Sequence, residues 1–186
     1  MAEEYDYLIK ILVMGDPGTG KNTLIVNSTR GFFTEDYKMT IGVEFSTKTF
    51  ELDTQDGKKR CKLQIWVPDF QERFKSLKSM FFRSVLGVIL FFDLTNCVTF
   101  DNLPKWMNEI RESMKYEIPI LIVGNKCDLV SQRVVSKHEI DQFIHDYNLH
   151  YTEISAKTGE GVEESFQILT RLMIEDFNKN RNALMH

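Results

Sequence analysis

Apolar residues recur along the chain in short runs of strand character, at Tyr7–Met14, Cys61–Val67, Leu86–Leu94 and Ile118–Gly124, with a shorter run at Tyr151–Ile154. Between most of them the apolar positions fall three or four residues apart. That spacing predicts helices over Leu24–Arg30, Phe100–Lys115, Lys137–Tyr147 and Val162–Phe177. Alternating strand and helix predicts an α/β fold, with a mostly parallel sheet covered on both faces. One connection departs from this rhythm. Glu44–Leu52 alternates apolar and polar, Asp56-Gly57 supplies a hairpin turn, and Lys58–Trp66 alternates back, so this pair is expected to be antiparallel.

A length of 186 residues suits one well-buried core. The expected organisation is a single domain over 1–180 and a short tail over 181–186. With 42% hydrophobic and 27% charged residues the composition is that of an ordinary globular protein, and a net charge of −4 gives no electrostatic case for nucleic acid. Cys61, Cys97 and Cys127 are odd in number, and two lie in or beside apolar runs, so a reducing compartment is expected. The acidic start Met1-Ala2-Glu3-Glu4 is unlike a signal peptide, and no apolar run approaches the roughly 18 residues of a membrane span. The histidines His138, His145, His150 and His186 make no metal-ligand spacing, and Lys58-Lys59-Arg60 reads as solvated charge.

Two segments carry chemistry. The first strand runs into Gly15-Asp16-Pro17-Gly18-Thr19-Gly20-Lys21-Asn22-Thr23, which follows the phosphate-loop pattern G-x-x-x-x-G-K. Glycines let the backbone curl so that successive N–H groups point inward at phosphate oxygens. Lys21 adds a mobile positive charge for the outer phosphates, and the helix that follows offers its positive end. The second segment is Asn125-Lys126-Cys127-Asp128 after the strand ending at Gly124, joined later by Ser155-Ala156-Lys157. A carboxylate such as Asp128 can accept two hydrogen bonds from the N1–H and 2-amino edge of guanine. Adenine offers no donor at either place, and sites built on such bonds discriminate by roughly 10⁴–10⁵. An ATP-dependent P-loop kinase is disfavoured on the same ground.

In these motifs the chain resembles the Ras superfamily, and specifically the Rab family, over essentially its whole length. Thr40-Ile41-Gly42-Val43-Glu44-Phe45 is similar to the Rab first switch, while Trp66 and Gln71-Glu72-Arg73-Phe74 are similar to parts of the second. Phe81-Phe82-Arg83, Leu90-Phe91-Phe92-Asp93-Leu94-Thr95 and Trp106 also match Rab-like positions. The resemblance implies a P-loop NTPase G domain, a six-stranded mostly parallel sheet with one antiparallel strand flanked by five helices. It also implies GDP or GTP with Mg²⁺, and a switch role in vesicle traffic. By the same matching, Phe33 packs edge-on to the base, Ala156 offers its N–H to the guanine carbonyl and Lys126 lies along the ring. Lys21, Thr40 and Gln71 carry the hydrolysis, with Gln71 orienting the attacking water. Exchange factors and effectors are expected at the switches and at Phe45, Trp66 and Phe81. Trp106 and Phe143, at apolar helical spacing, are expected to be core.

Three positions depart from the family pattern. Asn22 stands where a Ser or Thr binds Mg²⁺ through its hydroxyl, and its amide oxygen reaches one bond too far to ligate without displacing the ion. Thr23, one position late, is swung by about 100° on a helix. Val67 stands in place of the metal-holding aspartate, and Phe70 in place of the glycine whose N–H meets the γ-phosphate; Pro68 stiffens the same segment. Asp69 is two residues away, roughly 6.6 Å along an extended chain. The metal contacts that remain are Asn22, if it shifts the ion, and Thr40. The expectation is a weakened Mg²⁺ site, slow hydrolysis and a preference for GDP. A nucleotide-stabilised interaction module without useful hydrolysis stays open beside it. With no cysteine after Cys127, no lipid anchor is read from the sequence. The expected place is the cytoplasm, or the periphery of vesicle membranes through a partner or a missing tail.

Overall fold

The structure, a computed structural model, describes residues 5–27, 37–40, 43–54, 57–68 and 78–183. Its strands are β1 (Tyr7–Gly15), β2 (Tyr37–Thr40), β3 (Val43–Thr54), β4 (Gly57–Pro68), β5 (Gly87–Asp93), β6 (Ile120–Asn125) and β7 (His150–Ile154). The helices are α1 (Lys21–Asn27), α2 (Lys78–Phe82), α3 (Cys97–Asp101), α4 (Leu103–Ser113), α5 (Lys137–Tyr147) and α6 (Val162–Ala183). The strands form one sheet in the order β2-β3-β4-β1-β5-β6-β7. β4, β1, β5, β6 and β7 pair in parallel, whereas β3 is antiparallel to both of its neighbours, β2 and β4. β3 is therefore the single reversed strand expected. To the six expected strands the structure adds the four-residue edge strand β2.

The apolar alternation of β1 explains the two-sided core. Ile9, Ile11 and Val13 point to one face, where Leu24 and Ile25 of α1 and Phe166, Leu169 and Met173 of α6 cover them. Leu12 and Met14 point to the other, under Leu103, Met107 and Ile110 of α4 and Ile140 of α5. β5, flanked on both sides and covered on both faces, is buried at all seven positions, which is why it reads as an unbroken apolar run. Trp106 and Phe143 pack against the second cluster, as their spacing predicts.

Local signals set several helix ends. The Ser136 hydroxyl accepts from Glu139 N–H while the Glu139 carboxylate accepts from Ser136 N–H, a capping box that starts α5 at its expected residue. Asn148 in the left-handed region, at φ 50°, stops it. The helix expected over Phe100–Lys115 is instead two helices. Asn102 ends α3, and Pro104 in the first turn of α4, where no backbone donor is needed, begins the next. α6 runs through Ala183, past the expected domain end at 180. The hairpin ladder closes at Thr54 opposite Gly57, so Gly57 opens β4 at φ 94° and does not sit at the tip.

Candidate nucleotide site

The C-terminal ends of β1, β5, β6 and β7 lie side by side and carry the loops that begin at Gly15, Asp93, Asn125 and Ser155. In an open parallel sheet this edge is where ligands bind, beside the point where successive strands depart in opposite directions. Here β1 is flanked by β4 on one side and β5 on the other.

Two glycines of the loop after β1, Gly15 and Gly20, leave no room for a side chain. A Cβ on Gly15, at φ 130°, would stand 2.2 Å from the Phe91 carbonyl oxygen, and one on Gly20, at φ 97°, would stand 2.1 Å from Asn125 Nδ2. The buried Thr19 turns its hydroxyl back onto the Asp16 carbonyl at 2.8 Å. Lys21 folds over the loop, its Nζ donating to the Gly15 and Asp16 carbonyls at 2.8 and 2.7 Å. The loop is also tied to α3 and α4: the Asp16 carboxylate accepts from Asn102 Nδ2 and from Trp106 Nε1, both at 2.7 Å.

Asn125 joins three segments. Its Nδ2 donates to the Thr19 carbonyl at 2.7 Å and its Oδ1 accepts from the Ala156 N–H at 2.8 Å, with the side chain 2% exposed. The loop at the end of β1, the end of β6 and the loop after β7 are thereby one unit. The Ala156 N–H, expected to meet a guanine carbonyl, donates here to Asn125 Oδ1. Lys126, at φ 70°, sends its ammonium to the Asp93 carboxylate. Burial would raise the Asp93 pKa, but Lys126 together with the N–H and hydroxyl of Thr95 holds it below its ordinary value. Asp128 follows on the same half-buried loop, fastened by Cys127 N–H to the Ile154 carbonyl at 3.1 Å. Ser155 is fully buried and accepts from Thr158 N–H at 3.1 Å, which shapes the turn through Ala156 and Lys157. Behind this loop, Arg133 grips Glu153 at 2.8 and 2.7 Å while the Tyr151 hydroxyl donates to the same carboxylate at 2.8 Å. Burial alone would raise the Glu153 pKa; these partners bring it below its usual value.

The sequence profile of the Ras family matches residues 10–175. The chain belongs to the Ras family. Within it the chain is similar to Rab proteins. The chain is 39% identical over 182 residues to Ras-related protein Rab-8B of Homo sapiens, covering 98% of this chain and 86% of that one. It is 41% identical over 182 residues to GTP-binding protein ypt3 of Schizosaccharomyces pombe, covering 97% and 83%. Ras-related protein RABD2c of Arabidopsis thaliana is 41% identical over 170 residues, covering 91% and 82%. The chain is thus a Rab-like member of the Ras superfamily.

Family membership implies a guanine nucleotide with Mg²⁺, so the metal position can be tested against the residues present. Asn22 is exposed at the start of α1 and donates through Nδ2 to Glu44 Oε1 at 2.7 Å. Val67 is 4% exposed and offers no ligand. Thr23 is exposed on α1, and Thr40 ends β2 opposite Val43. Among the described residues no three His, Cys, Asp or Glu converge on a metal position. Close by, Glu44 Oε2 is shut off from solvent and accepts no hydrogen bond from the described residues. Burial raises the Glu44 pKa, and the nearby Lys21 opposes that rise. A single hard oxygen donor beside the loop fits a hard divalent cation that takes its remaining ligands from phosphate and water. Phe33, Phe70 and Gln71, the expected base contact, altered glycine and water-orienting residue, lie outside the described residues.

Of the aromatic residues expected to face partners, Phe45 and Trp66 are half-buried and meet edge-on at 5.6 Å, with Lys10 Nζ 4.1 Å above the indole. Phe81 is buried at 5% exposure, which removes it from that surface. No helix among the described residues is long and apolar enough to cross a membrane.

The sequence reading missed Glu44, Asn102 and the polar role of Trp106. A signal for Glu44 existed. Once the hairpin is closed at Thr54 and Gly57, counting back along the ladder sets Glu44 opposite Val67, the position that has lost its aspartate.

Proposed function

We propose that this chain is a Rab-type guanine-nucleotide switch of vesicle traffic whose Mg²⁺ site is weakened, so that it favours GDP and hydrolyses GTP slowly. The loop from Gly15 to Thr23 holds the phosphates, with Lys21 exchanging its two carbonyl contacts for phosphate oxygens. Asn125, Lys126 and Asp128, with Ser155, Ala156 and Lys157, enclose the base, and Asp128 selects guanine by accepting from its N1–H and 2-amino group. Phe33 flanks the base, Thr40 closes over the nucleotide, and Gln71 orients water. Exchange factors and effectors engage the switch segments around Phe45 and Trp66. The protein works in the cytoplasm and at vesicle surfaces.

The observation that carries the weakened site is the pairing of Asn22 with Glu44, beside an apolar Val67. Mg²⁺, which Asn22 and Thr40 would hold in this reading, would neutralise the added charge of the outer phosphate. With the hydroxyl and aspartate ligands replaced, GTP loses more than GDP, because the phosphate loop and base loops serve both nucleotides alike. Release of fluorescent GDP is followed with and without a chelator, with Rab-8B measured in parallel. A much smaller acceleration than in Rab-8B is expected; an equal one contradicts the reading.

A second reading keeps the nucleotide as a structural support and drops the switch. The same replacements at Asn22 and Val67 favour it. Single-turnover hydrolysis no faster than buffer, with Trp66 fluorescence identical in the GDP and GTP forms, selects this reading over the first.

A further inference from the structure

We propose that Glu44 is the protein carboxylate of this chain's metal position, taking from the neighbouring strand the part that Val67 has vacated. The inference deepens the function proposed above and rests on its claim that a guanine nucleotide occupies the loop at Gly15–Lys21.

Three observations converge on this residue. Glu44 is the register partner of Val67 in the β3–β4 ladder. Adjacent strands lie about 4.8 Å apart, and glutamate is one methylene longer than aspartate, so a carboxylate launched from β3 can reach the space that β4 no longer fills. The Glu44 carboxylate is held at the start of α1, because Asn22, the residue after the loop lysine, donates to its Oε1 at 2.7 Å. Its other oxygen, Oε2, is hidden from solvent and takes no hydrogen bond from the described residues. A buried acceptor left without a donor is expensive, and an ion or ordered water beside it relieves that cost.

Charge points the same way. Lys21 lies close enough to act on Glu44 electrostatically. When that ammonium turns to a phosphate, an anionic carboxylate is left facing anionic phosphate oxygens. Two anions at that range repel unless a cation stands between them. Mg²⁺ commonly uses one or two carboxylates plus phosphate oxygens and water, so a single glutamate meets its needs. Asn22 then has the task of positioning this carboxylate, which accounts for an amide in place of a hydroxyl. A site built this way is weaker than one with two direct protein ligands, yet not lost.

The test is the coupling between Mg²⁺ and GDP in wild type, Glu44→Gln and a control, Glu51→Gln, on the exposed end of the same strand. Dissociation of fluorescent GDP is timed in Mg²⁺ and in EDTA. Mn²⁺ is then substituted, and its binding to each protein–GDP complex is read by water-proton relaxation. Wild type and Glu51→Gln are expected to release GDP roughly tenfold faster in EDTA, a usual size for coupling between two ligands. Glu44→Gln, which keeps the shape and hydrogen-bonding reach of the side chain, is expected to release it at nearly the same rate in both and to lose the Mn²⁺ signal. Glu44→Gln with wild-type coupling and wild-type Mn²⁺ binding overturns this proposal alone, as does a wild type that holds GDP with no response to EDTA. A wild type that holds no GDP in either condition overturns the proposed function and this inference together.

Discussion

Replacing Asn125 by alanine strikes the structure where three loops meet. The side chain is buried at 2% exposure and makes two hydrogen bonds, to the Thr19 carbonyl at 2.7 Å and from the Ala156 N–H at 2.8 Å. Alanine removes both of these buried hydrogen bonds, at about 1–2 kcal/mol each, so the folded state should lose about 2–4 kcal/mol. Urea unfolding without nucleotide measures this, and an unchanged slope shows that the surface exposed on unfolding is the same. Because the loop at Gly15–Lys21 is no longer tied to the base loops, GDP affinity should also fall by at least roughly tenfold, or about 1.4 kcal/mol. A double-mutant cycle adds a geometric check. Gly20→Ala alone places a Cβ 2.1 Å from Asn125 Nδ2 and must displace that side chain. In the Asn125→Ala background the obstacle is gone, so Gly20→Ala should cost at least about 1 kcal/mol less there than in wild type. A loss below about 1 kcal/mol for Asn125→Ala with GDP affinity unchanged, or strict additivity in the cycle, would refute the claim that this residue binds the loops into one unit.

Two further perturbations test other parts of the account. Lys48 is 4% exposed, 3.6 Å from Glu163, and burial brings its pKa down to about 8. The unfolded chain then holds this proton more tightly than the folded one, so the contribution of Lys48 to stability rises as pH climbs from about 8 to 10.5. Lys48→Met should stabilise the protein by up to about 3 kcal/mol at neutral pH, with the gain shrinking across that window; a gain independent of pH, or a loss at neutral pH, contradicts it. Trp106→Phe keeps an aromatic ring against the core but removes the donor to Asp16 Oδ1 at 2.7 Å. A loss of about 1–2 kcal/mol in thermal unfolding and faster GDP release are expected; unchanged release means that the bond does not steady the loop.

How much of this was legible in the sequence depends on the range of the interactions. β1 and α5 could be read almost to the residue, because an apolar run and helical apolar spacing are local signals. The phosphate loop and the Asn125–Asp128 segment were readable because each is contiguous and sits at a strand end. The break at Asn102 was missed because apolar spacing continues through it, while the signal that mattered was Pro104. β2 has four residues at the sheet edge, too few for a periodic pattern. The pairings of Asp16 with Trp106 and of Asn22 with Glu44 span 90 and 22 residues, and only the fold brings them together. Lys48 reads as a surface charge in an alternating strand, yet the packing of α6 over β3 covers it. At the expected metal position the sequence itself shows only Asn22 and Val67 in place of the family residues; that Glu44 stands opposite Val67 became visible only through the ladder register.

The central claim is that a curled loop holds phosphates while Asp128 chooses the base, and calorimetric titration with GDP and ADP, for wild type and Asp128→Ala, tests it most directly. Wild type should bind GDP and prefer it to ADP by at least roughly 10³, with most of that preference gone in Asp128→Ala. Equal affinity of the wild-type protein for the two nucleotides, or a preference that survives the loss of Asp128, would contradict it.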